Sequence, residues 1–266
     1  MKVINKKYYN LQQFSKDFKD AKPYPHLVLD NFLIDPFFKN LNLENYKPSQ
    51  NNGRSFNTNL EKNKWTSKNE LLSKNLKLII DELNKKEFLE NLYKLTGITD
   101  LFSTTEGNTS LANYHEMYSS GYLGNHVDHS SEPSTGFPHV LNLILYLSKD
   151  WRSSWGGSTI LADKNGRKIK KLIDFVPNRA VIFLHTPFSF HGVTEIKKSP
   201  IKRSTIYVDY YSKNKDPYNH FNLIFKKVWF KHPTTFVLPS LKDYFQIKNK
   251  SYLKKMIKHK VKAFFS

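Results

Sequence analysis

Cysteine is absent from this 266-residue chain, which excludes a disulfide framework, a thiolate nucleophile and any cysteine-based zinc site. A tight metal site must therefore be built from histidine, aspartate and glutamate. Long apolar runs are also missing. The longest, Val140 to Leu147, is short and broken by Asn142, so no stretch reads as a membrane span. The opening Met1-Lys-Val-Ile-Asn-Lys-Lys holds no apolar core of the secretory kind, and the expectation is a cytoplasmic chain. Arginine is scarce: Arg54, Arg152, Arg167, Arg179 and Arg203 are the five among 42 basic residues. Base and phosphate recognition favours the guanidinium fork, whereas here a net charge of +19 is carried mostly by lysine. That balance reads as solvated basic faces rather than a nucleic-acid surface.

What is present suffices for one globular domain, since 39% of residues are hydrophobic and 15% aromatic. His26 to Leu33 reads as a strand, and Asp35-Pro36 opens a short helix with proline in its first turn. Residues 48–69 are polar, carry Gly53 and several asparagines, and read as a loop placed over a site. Leu71, Leu72, Leu76, Ile79, Ile80 and Leu83 recur at helical spacing. Phe88, Leu89, Leu92 and Leu95 continue that pattern until Gly97 closes a second helix. From Thr109 the pattern changes to short β runs over 111–118, 140–147, 158–162, 172–176, 180–185 and 204–211. Asn165-Gly166 reads as a hairpin turn and Pro177-Asn178 as a break. The class is α+β, with a sandwich or jelly roll formed by the strands.

Within that β region lie His126-Val127-Asp128, then His191, then Arg203. In a strand, residues i and i+2 point to one side, so His126 and Asp128 can grip one ion while a histidine from a neighbouring strand completes the set. Two imidazoles and one carboxylate on one face make a facial triad that suits non-haem iron. An H-x-D pair alone does not distinguish ligands from a surface pair in a glycine-rich loop, and His185 and His139 compete with His191 for the third position.

The wider set resolves this. His115-Glu-Met-Tyr-Ser-Ser-Gly121 leads into His126-Val-Asp128, and Leu143-Ile-Leu-Tyr146-Leu-Ser-Lys-Asp-Trp151, Gly156-Gly157, Phe190-His191-Gly192-Val193 and Arg203-Ser-Thr205 follow in order. Together these residues resemble the prolyl-4-hydroxylase-like branch of the 2-oxoglutarate/Fe(II)-dependent dioxygenases. The resemblance covers about residues 109–212, with fainter echoes at 23–33 and 88–97. It implies a double-stranded β-helix (jelly roll) core over 109–212, helical support over 34–97, a dioxygenase domain spanning 1–212 and a basic extension over 213–266. It also implies Fe(II) held by His126, Asp128 and His191, with 2-oxoglutarate as cosubstrate, O2 as oxidant and ascorbate as an accessory reductant. Arg203 then holds the distal carboxylate of 2-oxoglutarate, with Lys202 as its competitor. Tyr146 donates to the same carboxylate and Thr205 is a weaker partner. His115 stands at the pocket wall, and Asn142 needs a polar partner, either the cosubstrate or backbone. His185 is assigned a structural role.

The reaction implied is hydroxylation of an unidentified substrate, a prolyl peptide or a sugar or cell-envelope glycan among the small-molecule, peptide and glycan classes, with release of succinate and CO2. Asp128 supports hydroxylation, because halogenating relatives carry a small residue there. Two alternatives stand beside it: a nucleic-acid demethylase of the same chemistry, which should show an arginine-rich or aromatic lid, and a cupin-like metal-binding protein without turnover. The extension holds thirteen lysines against Asp216 and Asp243. Over 251–265, Leu253, Ile257, Val261 and Phe264 form one helical stripe flanked by Met256 and Phe265, with lysines largely elsewhere. Such a helix either lies peripherally on an anionic membrane at the inner face or packs on the enzyme's own helices.

Overall fold

The computed structural model describes residues 2–43, 53–104, 113–214, 217–218, 221 and 232–237. In chain order these form α1 (Ser15–Asp20), β1 (His26–Leu29), α2 (Asp35–Lys39), β2 (Gly53–Phe56), β3 (Glu61–Ser67), α3 (Lys74–Asn84), α4 (Lys86–Thr96) and β4 (Leu101–Ser103). Then follow β5 (Tyr114–Val127), β6 (His139–Tyr146), β7 (Thr159–Ala162), β8 (Ile169–Ile173), β9 (Ala180–Leu184), β10 (His191–Val193), β11 (Arg203–Ser212) and β12 (Thr235–Phe236). Every described strand pair is antiparallel. The main path runs β1-β9-β6-β11-β5-β10-β7-β8, a curled sheet of the jelly-roll kind, with β3 and β12 also pairing with β5 and β4 pairing with β11.

Side-chain alternation explains why residues 140–147 are apolar apart from Asn142: both faces of β6 are buried. Leu141, Leu143 and Leu145 join Ile182 and Leu184 of β9 and Ile206, Val208 and Tyr210 of β11 in one cluster with the helices. Ile144 and Tyr146 face the other way, with Val181, Phe183, Phe175 and Leu161, inside the curl. Asn142 shares that inner side by its two-residue spacing. On β11 the same rule gives Arg203, Thr205, Tyr207, Asp209 and Tyr211 one face and Ser204, Ile206, Val208 and Tyr210 the other.

The helices seat on the outer side. Ser73 caps α3 by accepting a hydrogen bond from the Leu76 amide, and Gly97 closes α4 at φ 79°, where a side chain would be strained. Their buried apolar residues Leu76, Ile79, Ile80, Leu83, Phe88, Leu92 and Leu95 all belong to the apolar stripes read from the sequence, whereas Leu71 of the first stripe stays 47% exposed. Helix α2 begins at Asp35-Pro36 as expected.

Three expectations need correction. Residues 53–67 are not a loop but the hairpin β2–β3, which lies against β5 from Glu61↔Leu123 to Ser67↔Tyr114. Its polar sequence reflects one solvent-facing side rather than lack of structure. The strand expected over 172–176 sits earlier, at β8, where Lys170 and Lys171 blunt an exposed sheet edge and Ile169 and Leu172 remain about half exposed. The strand expected to end at Tyr118 continues through Gly121 and Gly124 to Val127, so the His126 segment is a strand and not a glycine-rich loop. Of the extension 213–266, Tyr218 and Phe221 join the helix-side core, and β12 pairs Thr235↔Val127 and Phe236↔His126. The stripe at 251–265 lies outside the described residues.

Between β5 and β6 the chain is held by Glu132, buried to 4% exposure. Its Oε2 accepts from the Ser134 amide at 3.0 Å and hydroxyl at 2.6 Å, and from the Thr135 amide at 2.5 Å and hydroxyl at 2.6 Å. Burial pushes its carboxyl up, but the donated hydrogen bonds win and lower it from 4.5 to about 2. A carboxyl depressed on folding adds stability above its unfolded value and loses it as pH falls through the folded one. We therefore expect thermal stability to fall between pH 4.5 and about 2. Glu132→Gln should remove part of that acid limb and cost about 1–3 kcal/mol at neutral pH. Unfolding curves of the two proteins across that pH range check this.

Candidate metal centre

His126 lies next to last in β5, and His191 opens β10 directly opposite it in register. Val127 between the site residues is fully buried, as the two-residue alternation requires. The His126 Nε2 stands 3.3 Å from Asp128 Oδ1, and the His191 Nε2 stands 3.2 Å from Asp128 Oδ2. All three donor atoms lie within 4.8 Å of one another. Each imidazole is oriented from behind: Nδ1 of His126 meets the Gly124 carbonyl at 2.9 Å, and Nδ1 of His191 meets the Ser189 carbonyl at 3.0 Å. A carbonyl oxygen only accepts, so both Nδ1 atoms carry a proton and both Nε2 atoms are turned toward Asp128. Phe236 stacks on His126 with centroids 4.9 Å apart, and Phe183 lies against His191 at 4.8 Å.

The carboxylate is itself held. Its Oδ2 accepts from Asn142 Nδ2 at 2.8 Å and from the Tyr207 hydroxyl at 2.6 Å, and Asn142 also contacts Tyr207. Burial would raise the Asp128 carboxyl, but the imidazoles of His191 and His126 hold it well below the usual carboxylate range. The Asn142 partner is thus Asp128 and Tyr207, rather than backbone or a cosubstrate. Two nitrogens and one ionised oxygen converging on a common point are a donor set suited to Fe(II), Mn(II) or a related divalent ion.

Further along β11 the guanidinium of Arg203 is buried to 4% exposure. Its Nε donates to the Gly157 carbonyl at 2.8 Å, while its buried Nη2 has no hydrogen-bond partner among the described residues. Burial lowers its pKa from 12.5 to about 10, which still leaves it charged at neutral pH. The Arg203 Cζ stands 5.0 Å from the Phe175 ring centroid and 5.4 Å from that of Tyr146. Gly157, at φ 73°, permits this packing, since a Cβ there would stand 3.1 Å from both Arg203 Cδ and the Trp151 ring. A charged donor left without a partner in an aromatic pocket fits a carboxylate ligand.

The other expected residues fall around this frame. The Tyr146 hydroxyl contacts Thr159 Oγ1 at 2.6 Å, and its ring stacks on Phe175 at 4.5 Å. Thr205 lies opposite both Tyr146 and His115, and the His115 ring stacks on Tyr207 at 5.4 Å. Lys202 faces away from Arg203 and pairs with the buried Glu116. His185 bridges backbone, with Nδ1 3.0 Å from the His139 carbonyl and Nε2 3.3 Å from the Asp128 carbonyl. Tyr207 is the site residue that sequence reasoning passed over. The signal was present, because it continues the Arg203, Thr205 alternation onto the same face of β11.

Residues 110–210 match the family model described as the 2OG-Fe(II) oxygenase superfamily. Among solved structures the chain is similar to a prolyl-4-hydroxylase of Pseudomonas putida, at 11% identity and a TM-score of 0.50, over 76% of this chain and 99% of that one. It is also similar to a prolyl hydroxylase of Trichoplax adhaerens solved with a hypoxia inducible factor oxygen degradation domain peptide fragment. There the identity is 14% and the TM-score 0.50, over 78% of this chain and 91% of that one. At these identities the likeness is one of fold. Among curated proteins none matches the chain by sequence.

Because Tyr207 donates to the carboxylate between the two imidazoles, Tyr207→Phe should weaken divalent metal binding by about 10- to 100-fold without unfolding the sheet. Mn(II) titration of the apo protein followed by electron paramagnetic resonance reads this. Unchanged affinity would remove Tyr207 from the supporting shell.

Proposed function

From the premise that this chain carries a 2OG-Fe(II) oxygenase domain over residues 110–210, we propose that it hydroxylates a peptide substrate, with a prolyl side chain as the first candidate. The family uses Fe(II), 2-oxoglutarate and O2. In this reading His126, Asp128 and His191 hold Fe(II), and Arg203 takes the distal carboxylate of 2-oxoglutarate. Bound together there, metal and cosubstrate supply O2 activation coupled to decarboxylation of 2-oxoglutarate to succinate and CO2.

The chain's own residues then have distinct tasks. The Gly124 and Ser189 carbonyls keep both imidazoles in the tautomer that offers Nε2. Asn142 and Tyr207 fix the direction of the Asp128 carboxylate. Phe175, Phe183, Val181 and Leu161 line the inside of the curl with apolar surface that excludes water. The observation that carries the reading is the buried Arg203 Nη2, without a hydrogen-bond partner among the described residues and on the same strand face as Tyr207. It supports a dianionic cosubstrate spanning from the triad to Arg203. The peptide preference rests on the two prolyl hydroxylase neighbours and is the first class to test.

Full-length protein with Fe(II), ascorbate and 2-oxoglutarate should form succinate, and prolyl peptides should gain one oxygen atom by mass spectrometry. Arg203→Ala should weaken 2-oxoglutarate binding by about 2–5 kcal/mol, the scale for stranding a carboxylate in a desolvated pocket. Lys202→Ala, whose side chain is tied to Glu116, should leave that affinity nearly unchanged. Equal losses in the two variants would mean that Arg203 is not the anchor.

A further inference from the structure

We propose that His129, His139 and Asp209 form a second site for a divalent transition-metal ion, distinct from the His126–Asp128–His191 triad. The three residues come from three segments that the sheet brings together. His129 lies just past β5, His139 opens β6, and Asp209 lies on the face of β11 that carries Tyr207. His139 Nε2 stands 3.3 Å from Asp209 Oδ1, and His129 Nε2 stands 3.9 Å from Asp209 Oδ2. All three donor atoms lie within 4.8 Å of one another, the same limit that the first triad meets.

The hydrogen-bond pattern identifies what is missing between them. Nδ1 of His139 meets the His129 carbonyl at 2.9 Å and so carries a ring proton, which leaves Nε2 as the atom turned toward Asp209. Nε2 of His139 and Oδ1 of Asp209 are both buried, and apart from facing each other neither makes a hydrogen bond among the described residues. A buried imidazole nitrogen and a buried carboxylate oxygen 3.3 Å apart call for a positive charge between or beside them, a proton or a metal ion. A proton on His139 would answer that contact, but it would not use the third donor converging on the other carboxylate oxygen. A metal ion uses all three. His129 at present shares its Nε2 with the Tyr211 hydroxyl, 2.9 Å away, and would exchange that contact for the ion.

Two imidazoles and one carboxylate favour Zn(II), Co(II), Fe(II) or Mn(II) over Ca(II) or Mg(II), which prefer all-oxygen shells. The side chains of His129 and Asp209 keep 25% and 14% exposure, so solvent reaches the site while His139 is fully enclosed. The two centres are also linked: Asn142, which donates to Asp128, lies opposite Asp209 in register, and Tyr207, the other donor to Asp128, lies two residues before Asp209 on the same face. An ion bound here would join the end of β5, the start of β6 and the end of β11 beside the first centre.

The test is Zn(II) stoichiometry of full-length apo protein by isothermal titration and by metal analysis after desalting, with circular dichroism to establish folding. Wild type should bind two equivalents. His129→Ala, at the exposed ligand, and Asp209→Asn should each bind one, His126→Ala should bind one, and the His126→Ala/His129→Ala double variant none. Two equivalents in folded His129→Ala and Asp209→Asn would overturn the second site. So would a single wild-type equivalent that is kept by His129→Ala and lost by His126→Ala. A single equivalent lost by His129→Ala and kept by His126→Ala would instead retain the second site and reject the first.

Discussion

Double-sided burial of the central strands is the constraint on which the rest of this molecule depends. Strands β6, β9 and β11 must satisfy the helices on one face and the interior of the curl on the other, so each alternate residue belongs to a different environment. Leu141, Leu143 and Leu145 anchor the sheet to α3 and α4, which leaves Asn142, Ile144 and Tyr146 to define the interior. The same division on β11 lines up Arg203, Thr205, Tyr207 and Asp209 on one side. A slip of one residue in either strand would exchange the two sets and place leucines where the polar groups now stand.

Within that interior the Asp128 carboxylate is the point where four other side chains meet. Two imidazoles approach its oxygens, and an amide and a phenol donate to one of them. Each partner comes from a different strand or turn: β5 itself, β10, β6 and β11. The carboxylate therefore serves as chemistry and as joinery. Its charge is compensated by donors and by imidazoles that are already turned the right way, which lowers the reorganisation needed when a cation arrives.

Much of this was legible in the sequence, for physical reasons. The helical stripes and Gly97 report packing and capping that are local in the chain, and β6 and β9 announce themselves by doubly buried apolar residues. His126 and Asp128 are two residues apart, so their common direction follows from strand geometry alone. What the sequence did not disclose depends on partners far away. The hairpin β2–β3 is polar because one side meets water, and only its pairing with β5 gives it order. Strand β8 hides behind its lysines. Tyr207 and the trio of His129, His139 and Asp209 acquire meaning only when β11 is laid in register beside β6, bringing together residues about seventy positions apart. Asn142 was visible as an anomaly in an apolar run, but its partner depended on where Asp128 came to rest.

The pairing of β12 with the end of β5 has a consequence for how the chain matures. Phe236 stacks on the His126 ring, and Thr235 and Phe236 pair with Val127 and His126, so that wall is supplied by residues made 110 positions after the histidine it covers. A nascent chain emerging from the ribosome can build the helices and most of the sheet early, yet it carries an imidazole without its Phe236 cover, and one open edge at the end of β5, until this later segment arrives. Completion of that wall is thereby deferred until Thr235 and Phe236 have been made, and a chain interrupted before Thr235 would hold the triad's residues without the wall that shields them.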